Sequence, residues 1–206
     1  MPQTLDPNAV PWHAWTPWKL QQHLAGQNRL WYVVGGWALD LWHGHQTREH
    51  EDLEFCILRP DFDHFRKGLA SHDLFAATNG QLAFHPVDQP AAPQIHQFWG
   101  YDPTRSAWHF DMMIEPGTPQ TWIYKRDTAI AANRSQMINL SPDGIKYLNP
   151  AAVLLFKAKH TRPKDVADFN LAVPNLRKSE VTWLKDTLTR LHPNHPWISQ
   201  IEGAYL

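Results

Sequence analysis

One stretch near the N-terminus combines a short strand, two glycines and a helix, and it constrains the fold more than any other feature of the chain. Residues 31–34 are aromatic and β-branched, which favours a strand. Gly35 and Gly36 interrupt that strand, and residues 37–42 are predicted to form a helix that follows the glycines directly. Backbone amides at such a turn attract phosphate, although a glycine pair alone is more often only a tight turn. The stretch therefore predicts an α/β fold with a candidate phosphate site.

Carboxylates stand on two predicted strands further along the chain. In the strand predicted over residues 52–58, Asp52 and Glu54 share one face because side chains two apart point the same way. Residues 108–115 alternate in the same manner and set Asp111 opposite an apolar stripe. Three such oxygen ligands could hold one or two Mg²⁺ ions. Polar alternation is also typical of the solvent face of any half-buried strand, so spacing alone leaves both interpretations open.

The second half of the chain is predicted to become helical. Residues 151–160 and 164–172 read as helices, and a third helix with Ser179 as its cap is predicted to run to Pro193. A chain of 206 residues suffices for one domain with a small appended part. We therefore predict an α/β core over residues 1–145 and a helical subdomain over residues 146–206.

Composition narrows the classes of function and the compartment. The formal net charge is −1, so no overall basic field favours nucleic acid as the partner. Cys56 is the only cysteine, which excludes an intrachain disulfide and fits a reducing cytoplasm. No leader-like segment or apolar run of membrane-spanning length is present, and we expect a soluble cytoplasmic protein. The eleven tryptophans could line a ligand pocket, but core packing is the simpler interpretation.

Two segments together carry a resemblance to a known family. Residues 35–40 (Gly-Gly-Trp-Ala-Leu-Asp) and residues 47–54 resemble the signature of the nucleotidyltransferase superfamily related to DNA polymerase beta. The nearest likeness is to its aminoglycoside- and lincosamide-adenylyltransferase-like branch. Residues 157–159 and 162–169 resemble a C-terminal motif of that branch and of nucleotidyltransferase-type antitoxins. The resemblance implies an α/β (α+β) core, with a small mixed sheet flanked by helices, followed by a helical C-terminal subdomain.

The resemblance also implies an activity and its residues. Members transfer a nucleoside monophosphate, usually AMP from ATP, to an acceptor hydroxyl and release pyrophosphate. By position, Asp52 and Glu54 match the two Mg²⁺ ligands, and Asp111 is the best match for a third that also helps to deprotonate the acceptor. Gly35 and Gly36 match the turn over the triphosphate. Glu54 stands where close relatives more often have aspartate, and Gly36 where the superfamily often has serine.

Three basic residues near these motifs have two interpretations each. Lys157 shares the inward-facing stripe of its predicted helix, so it must reach either a triphosphate or an ion pair with Asp165 or Asp168. Arg48 and His50 flank the carboxylate strand, where each could contact phosphate or hold the loop. The sequence leaves these alternatives open.

The acceptor is not specified by the sequence. An aminoglycoside- or lincosamide-like acceptor follows by analogy, and a cationic aminoglycoside would need an acidic pocket. Candidate acidic residues for such a pocket are Asp102, Glu115, Asp127 and Glu180. The alternatives are an antitoxin-like nucleotidyltransferase that modifies a toxin protein or RNA, and a non-catalytic nucleotide- or ligand-binding protein. The last is disfavoured because a pure binder has no need to hold three like charges together.

Overall fold

A computed structural model describes residue 6 and residues 9–204 of the chain. Its helices are α1 (Pro17–His23), α2 (Gly35–His43), α3 (Phe62–Gly68), α4 (Arg134–Met137), α5 (Pro150–Lys157), α6 (Pro163–Ala172), α7 (Lys178–Leu191) and α8 (Pro196–Ala204). Its strands are β1 (Trp31–Val33), β2 (Glu54–Leu58), β3 (Asp73–Thr78), β4 (Gln81–Phe84), β5 (Gln97–Asp102), β6 (Ala107–Glu115), β7 (Thr121–Ile123), β8 (Ala131–Asn133), β9 (Ile138–Leu140) and β10 (Lys146–Leu148).

One mixed sheet organises the fold. Its eight strands lie in the order β4-β3-β5-β6-β2-β1-β10-β9, and β7 pairs with β8 separately. The β2–β6 and β1–β10 pairs are parallel, while the other neighbours in the large sheet are antiparallel. The predicted α/β class with a mixed sheet flanked by helices is confirmed. Eight strands make this sheet larger than the small one that the resemblance implied.

Helices cover both faces of the sheet. On one face, Phe62 of α3 packs against Phe98 of β5 with ring centroids 4.6 Å apart. On the other face, α5 lies across a cleft from Cys56 and Met113. This second face carries the predicted site. Glu54 and Asp111 point to it, because the apolar residues that alternate with them along β2 and β6 point into the opposite layer.

Several predicted boundaries need correction. Strand β2 begins at Glu54, so Asp52 lies in the connection before it. Helix α2 begins at Gly35 itself, because its first turn includes both glycines. Ser179 is not a cap: α7 begins at Lys178, and the Glu180 carboxylate accepts the backbone N–H of Arg177 at 2.9 Å. Strands β7 to β10 and helix α4 were not predicted, since strands of three residues show no clear period.

The helical C-terminal part begins where Asn149 caps α5 and Pro150 occupies its first turn. Residues 146–148, on the C-terminal side of the predicted boundary, form β10 and pair with β1 inside the main sheet. The division into residues 1–145 and 146–206 stays a prediction. None of the helices in the described part of the chain is long and apolar enough to cross a bilayer.

Candidate active site

The glycine turn is shaped by the chain's own side chains. Gly35 has a positive φ of 65°, and a Cβ there would collide with the carboxylate of Glu54. A Cβ on Gly36 would instead meet the guanidinium of Arg48 and the ring of His50. Glycine is therefore needed at both positions, at Gly35 for backbone conformation as well as space. The first turn of α2 is thereby held directly beside Glu54.

Strand register brings two of the three predicted carboxylates together, and the third, Asp52, lies in the connection before β2. Glu54 and Asp111 are Cα partners in the parallel β2–β6 pair, so they occupy the same level on the same face. Asp52 precedes β2, where the carbonyl of the next residue, Leu53, accepts the backbone N–H of Asp111 at 2.7 Å. The charge of Asp52 contributes to the raised pKa of both Glu54 and Asp111.

Like charges at this site disfavour ionisation. Burial, and next the charge of Asp52, raise the pKa of Glu54 to about 7. Burial, and next the charge of Glu54, raise the pKa of Asp111 well above its usual value. Asp111 Oδ2 accepts a hydrogen bond from Gln97 Nε2 at 2.6 Å, whereas Oδ1 is buried without a partner among the described residues. Crowded carboxylates with a free buried oxygen fit a hard divalent cation such as Mg²⁺.

A second set of contacts fixes the loop that leads to Asp52. Asp40 Oδ1 accepts the backbone N–H and the hydroxyl of Thr47, and Oδ2 lies 2.5 Å from Nε2 of His50. The His50 ring stacks on Trp37 at 4.3 Å between centroids. Sequence reasoning overlooked the anchoring role of Asp40, although this residue is part of the quoted signature. His50 thus holds the loop, which was one of its two interpretations.

Arg48 and Lys157 belong to one buried ion-pair network. Arg48 Nε and Nη2 each donate to the Asp168 carboxylate at 3.0 Å. Lys157 Nζ lies 3.1 Å from Asp165 and 2.8 Å from Asp168, and only 8% of its side chain is exposed. Of the two interpretations of Lys157, the structure shows the ion pair. Through Asp168 the network ties the carboxylate loop to α5 and α6.

A cleft of about 250 Å³ separates the sheet from α5 and is open to this network. Gly35 and Glu54 line it on the sheet side. Basic side chains dominate its other polar lining: Lys125, Arg126, Lys157, His160 and Arg162. Such a lining suits an anion, because several positive charges converge on one cavity.

Lys125 is the cleft residue that sequence reasoning missed. It is exposed and makes no hydrogen bond or ion pair with any described residue. Its charge nevertheless acts on Asp111, whose pKa it lowers, although burial and Glu54 outweigh this effect. Lys125 lies in a turn after β7, where no periodic sequence pattern indicates its role. The adjacent basic pair Lys125–Arg126 was the one sequence feature that could have indicated an anion site.

The acidic residues considered for an acceptor pocket do not surround one cavity. Each has partners elsewhere: Asp102 with Thr104, Glu115 with Arg134 and Tyr32, Asp127 with Arg190, and Glu180 with Arg177 and Asn149. Among the four, Glu115 reaches the cleft wall, but its two oxygens are held by a buried Arg134. These residues therefore do not form the expected acidic pocket.

Comparisons with known proteins agree with this geometry. Residues 18–86 match the model of the aminoglycoside-2''-adenylyltransferase family. The solution structure of the antibiotic-resistance factor ANT(2'')-Ia is similar with a TM-score of 0.55 and 13% identity, over 84% of this chain and 89% of that one. The chain has the nucleotidyltransferase fold. The crystal structure of ANT(2'')-Ia in complex with adenylyl-2''-tobramycin gives a TM-score of 0.54 at 13% identity, over 91% and 95% of the two chains. No curated protein matches the sequence.

The predicted resemblance to the nucleotidyltransferase superfamily, and to its aminoglycoside adenylyltransferase-like branch, is confirmed by these matches. The matched family is one of adenylyltransferases, which is the enzyme class that the sequence predicted. The family match covers the glycine turn, Arg48 and two of the three carboxylates of this nucleotidyltransferase fold. Asp111 and Lys157 lie outside the matched residues.

Proposed function

We propose that the chain transfers AMP from ATP to a hydroxyl of a small, aminoglycoside-like acceptor and releases pyrophosphate. The observation that carries the proposal is the register pairing of Glu54 with Asp111 beside a basic cleft that contains the unpaired Lys125. The family match and the ANT(2'')-Ia structure with its adenylyl-tobramycin product support the same reaction.

Asp52, Glu54 and Asp111 would hold one or two Mg²⁺ ions. The free Oδ1 of Asp111 and the raised pKa values of Glu54 and Asp111 fit this donor set, because a cation would relieve the repulsion among the carboxylates. Bound Mg²⁺ would neutralise triphosphate charge and polarise the reacting oxygens. Glu54 is longer than the aspartate of close relatives, but its carboxylate already lies against Gly35 at the turn.

The chain's own groups would bind and orient the triphosphate. The amides of the first turn of α2, at Gly35 and Gly36, give a partial positive charge at the sheet end of the cleft. Across the cleft, the Lys125 ammonium is free to pair with a phosphate, whereas Lys157 is engaged by Asp165 and Asp168. We therefore assign the side-chain contact with phosphate to Lys125 and a supporting role to Lys157.

Asp111 would act on the acceptor. Once ionised, its carboxylate can accept the hydroxyl hydrogen while the hydroxyl oxygen forms a bond to the α-phosphorus and the bond to the bridging oxygen of pyrophosphate breaks. Arg48 and His50 would position the carboxylates indirectly, because they fix the loop before Asp52. Correct alignment in such a site supplies much of the rate enhancement.

Two tryptophans lie beside Asp111, one on the neighbouring strand and one packed against that tryptophan. Trp99 is the register partner of Asp111 on β5, is partly exposed, and packs edge-on to Trp12 with centroids 5.1 Å apart. Aromatic faces can bind the apolar faces of sugar rings. Because the acidic candidates are engaged elsewhere, we assign acceptor binding to these aromatic rings.

The test is a pyrophosphate-release screen of nucleoside triphosphates against aminoglycosides, lincosamides and other hydroxylated acceptors, with Mg²⁺ present or chelated. We expect ATP- and Mg²⁺-dependent release with an aminoglycoside, and a loss of at least about 10³-fold in Asp111→Asn. The matched control is Asp186→Asn, which changes an exposed carboxylate on α7. Absence of Mg²⁺-dependent nucleotide binding in calorimetry, or an Asp111→Asn variant that retains full activity, would refute the proposal. Label transfer to a protein or RNA would instead support the antitoxin-like alternative.

A further inference from the structure

Two histidines and an aspartate meet at one end of three neighbouring strands of the main sheet, away from the cleft. His72 precedes β3, Asp102 ends β5 and His109 lies on β6. One ligand atom from each residue lies within 4.8 Å of the other two. Among the described residues, this is the group of three His, Cys, Asp or Glu side chains that converges so closely. Residues so distant in sequence converge here only because β3, β5 and β6 are neighbours.

A β-bulge turns His109 away from the candidate active site. Pairing of β5 with β6 runs from Gly100–Phe110 to Tyr101–Trp108, which leaves His109 as the extra residue. His109 and Phe110 consequently both contact Trp15 and His72. Without the bulge, His109 would share the face of Asp111, two residues along the strand. The cluster therefore lies on the opposite face of the sheet from the three carboxylates.

The two imidazoles pack beneath an aromatic side chain. Trp15 covers them, with ring centroids 4.8 Å from His72 and 5.3 Å from His109, and His109 is only 4% exposed. Histidine is the commonest metal ligand in proteins.

Each residue has an atom suited to a metal bond. His72 Nε2 lies 2.9 Å from Nδ1 of His109, and His109 Nε2 lies 3.8 Å from Oδ2 of Asp102. The other oxygen of Asp102 accepts hydrogen bonds from Thr104 and Arg105, which orients the carboxylate and leaves Oδ2 available. The nearest competing cation, Arg105 Nε, is 4.0 Å from Oδ2 on a largely exposed side chain.

We propose that His72, His109 and Asp102 bind a single Zn²⁺ ion, with water as the fourth ligand. Two imidazoles and one carboxylate form a typical zinc donor set. Bond lengths of about 2.1 Å place tetrahedral ligand atoms about 3.4 Å apart. The 2.9 Å His72–His109 pair must therefore open by about 0.5 Å, and atoms as far apart as 4.8 Å must approach by about 1.4 Å. The ion replaces the His72–His109 hydrogen bond with two stronger bonds.

The bound ion acts as a structural clip. Its three ligands join the entry to β3, the end of β5 and the bulge of β6, and residues 11–15, which hydrogen-bond along β6, cover it with Trp15. Zinc binding to the folded state alone raises stability by mass action. The clip is independent of the proposed Mg²⁺ site, because no ligand is shared.

The test uses the metal-free full-length protein, prepared by chelation, and titrates it with ZnCl₂ by calorimetry in excess Mg²⁺. Wild type is expected to bind one Zn²⁺ per chain and to melt at a higher temperature when loaded. Substituting Co²⁺ should give the visible absorption of a tetrahedral site. His72→Asn and Asp102→Asn should each weaken Zn²⁺ binding at least about tenfold and remove that absorption.

Two controls make the result specific. His45→Asn removes an exposed histidine from the loop after α2 and should leave Zn²⁺ binding unchanged. Asp111→Asn should also retain it, which separates this site from the proposed active site. Both ligand variants spare the buried His109, and circular dichroism checks that they fold. The proposal is overturned if wild type fails to bind Zn²⁺ below 100 µM, a ceiling set at about the weak end of specific affinities. Equal binding by His72→Asn and Asp102→Asn also overturns it.

Discussion

Glu54 and Asp111 are register partners on neighbouring parallel strands, and their carboxylates share one face of the sheet. Nothing in the described residues neutralises this pair fully, since Asp111 keeps a buried oxygen without a partner. Ionisation of both groups therefore brings repelling charges together beside Gly35, at the start of α2. Such an arrangement disfavours the free protein and favours one loaded with a cation.

Gly35→Ala should abolish activity because its methyl group would displace the Glu54 carboxylate. Gly44→Ala is the matched control: Gly44 also has a positive φ, 79°, but a Cβ there meets nothing within 4 Å. Both variants should lose about 1 kcal/mol from backbone strain, and Gly35→Ala should lose more. Chemical unfolding and Mg²⁺-dependent pyrophosphate release measure the two effects. Equal activity of the two variants would show that Glu54 need not lie at the turn.

Stability without Mg²⁺ should depend on pH through Glu54. Its pKa is raised in the folded state to about 7, so the folded protein holds a proton that the unfolded chain has released. This contribution to stability is complete below pH 4.5, the group's ordinary pKa, and is lost as the pH rises through about 7. Glu54→Gln should flatten the unfolding free energy between pH 5 and pH 8, measured by urea titration at each pH; an unchanged slope would contradict the assignment.

Removing Lys157 should destabilise the protein strongly. Its ammonium pairs with Asp165, which is fully buried, and with Asp168, so Lys157→Met leaves buried charge without its partner. We expect a loss of about 3–5 kcal/mol of unfolding free energy. Lys164→Met is the matched control, because Lys164 pairs with an exposed Glu51 and should cost at most about 1 kcal/mol. Similar losses in the two variants would mean that the buried network contributes no more than a surface pair.

The Asp165 interaction should also appear at acidic pH. Burial alone would raise the pKa of Asp165, but the hydrogen bond from Arg162 and the charge of Lys157 together lower it to about 2. The stabilisation is therefore present above pH 3.8 and is lost as the pH falls towards 2. Asp165→Asn should reduce the loss of stability between pH 4 and pH 2, measured by acid unfolding. An identical acid transition in the variant would exclude this contribution.

Lys125→Ala should weaken nucleotide use without affecting the fold. The side chain is exposed, lines the cleft and has no partner in the described part of the chain, so its removal costs only the phosphate contact. We expect KM for ATP to rise about tenfold, the effect of one charge-assisted contact. Lys146→Ala, an exposed lysine on β10 outside the cleft lining, should keep the wild-type KM. An unchanged KM in Lys125→Ala would return the phosphate contact to Lys157 or Arg162.

The sequence by itself determined the local pattern and its resemblance. Glycines between a strand and a helix predicted the α/β class, and carboxylates at alternate positions marked three acidic candidates, because backbone conformation and side-chain alternation are local properties. The family resemblance supplied the specific fold and the roles of those residues. The main helices of the C-terminal part were predicted for the same reason. Short strands between residues 121 and 148 were not, because three residues show no reliable period.

Only the tertiary structure decided which groups meet. It paired Glu54 with Asp111 through parallel register, committed Lys157 to two aspartates and left Lys125 free in the cleft. A bulge also turned His109 away from Asp111, whereas alternation along the sequence would have placed the two residues on the same face. Contacts between distant segments depend on strand order, register and packing, and no local sequence pattern specifies these.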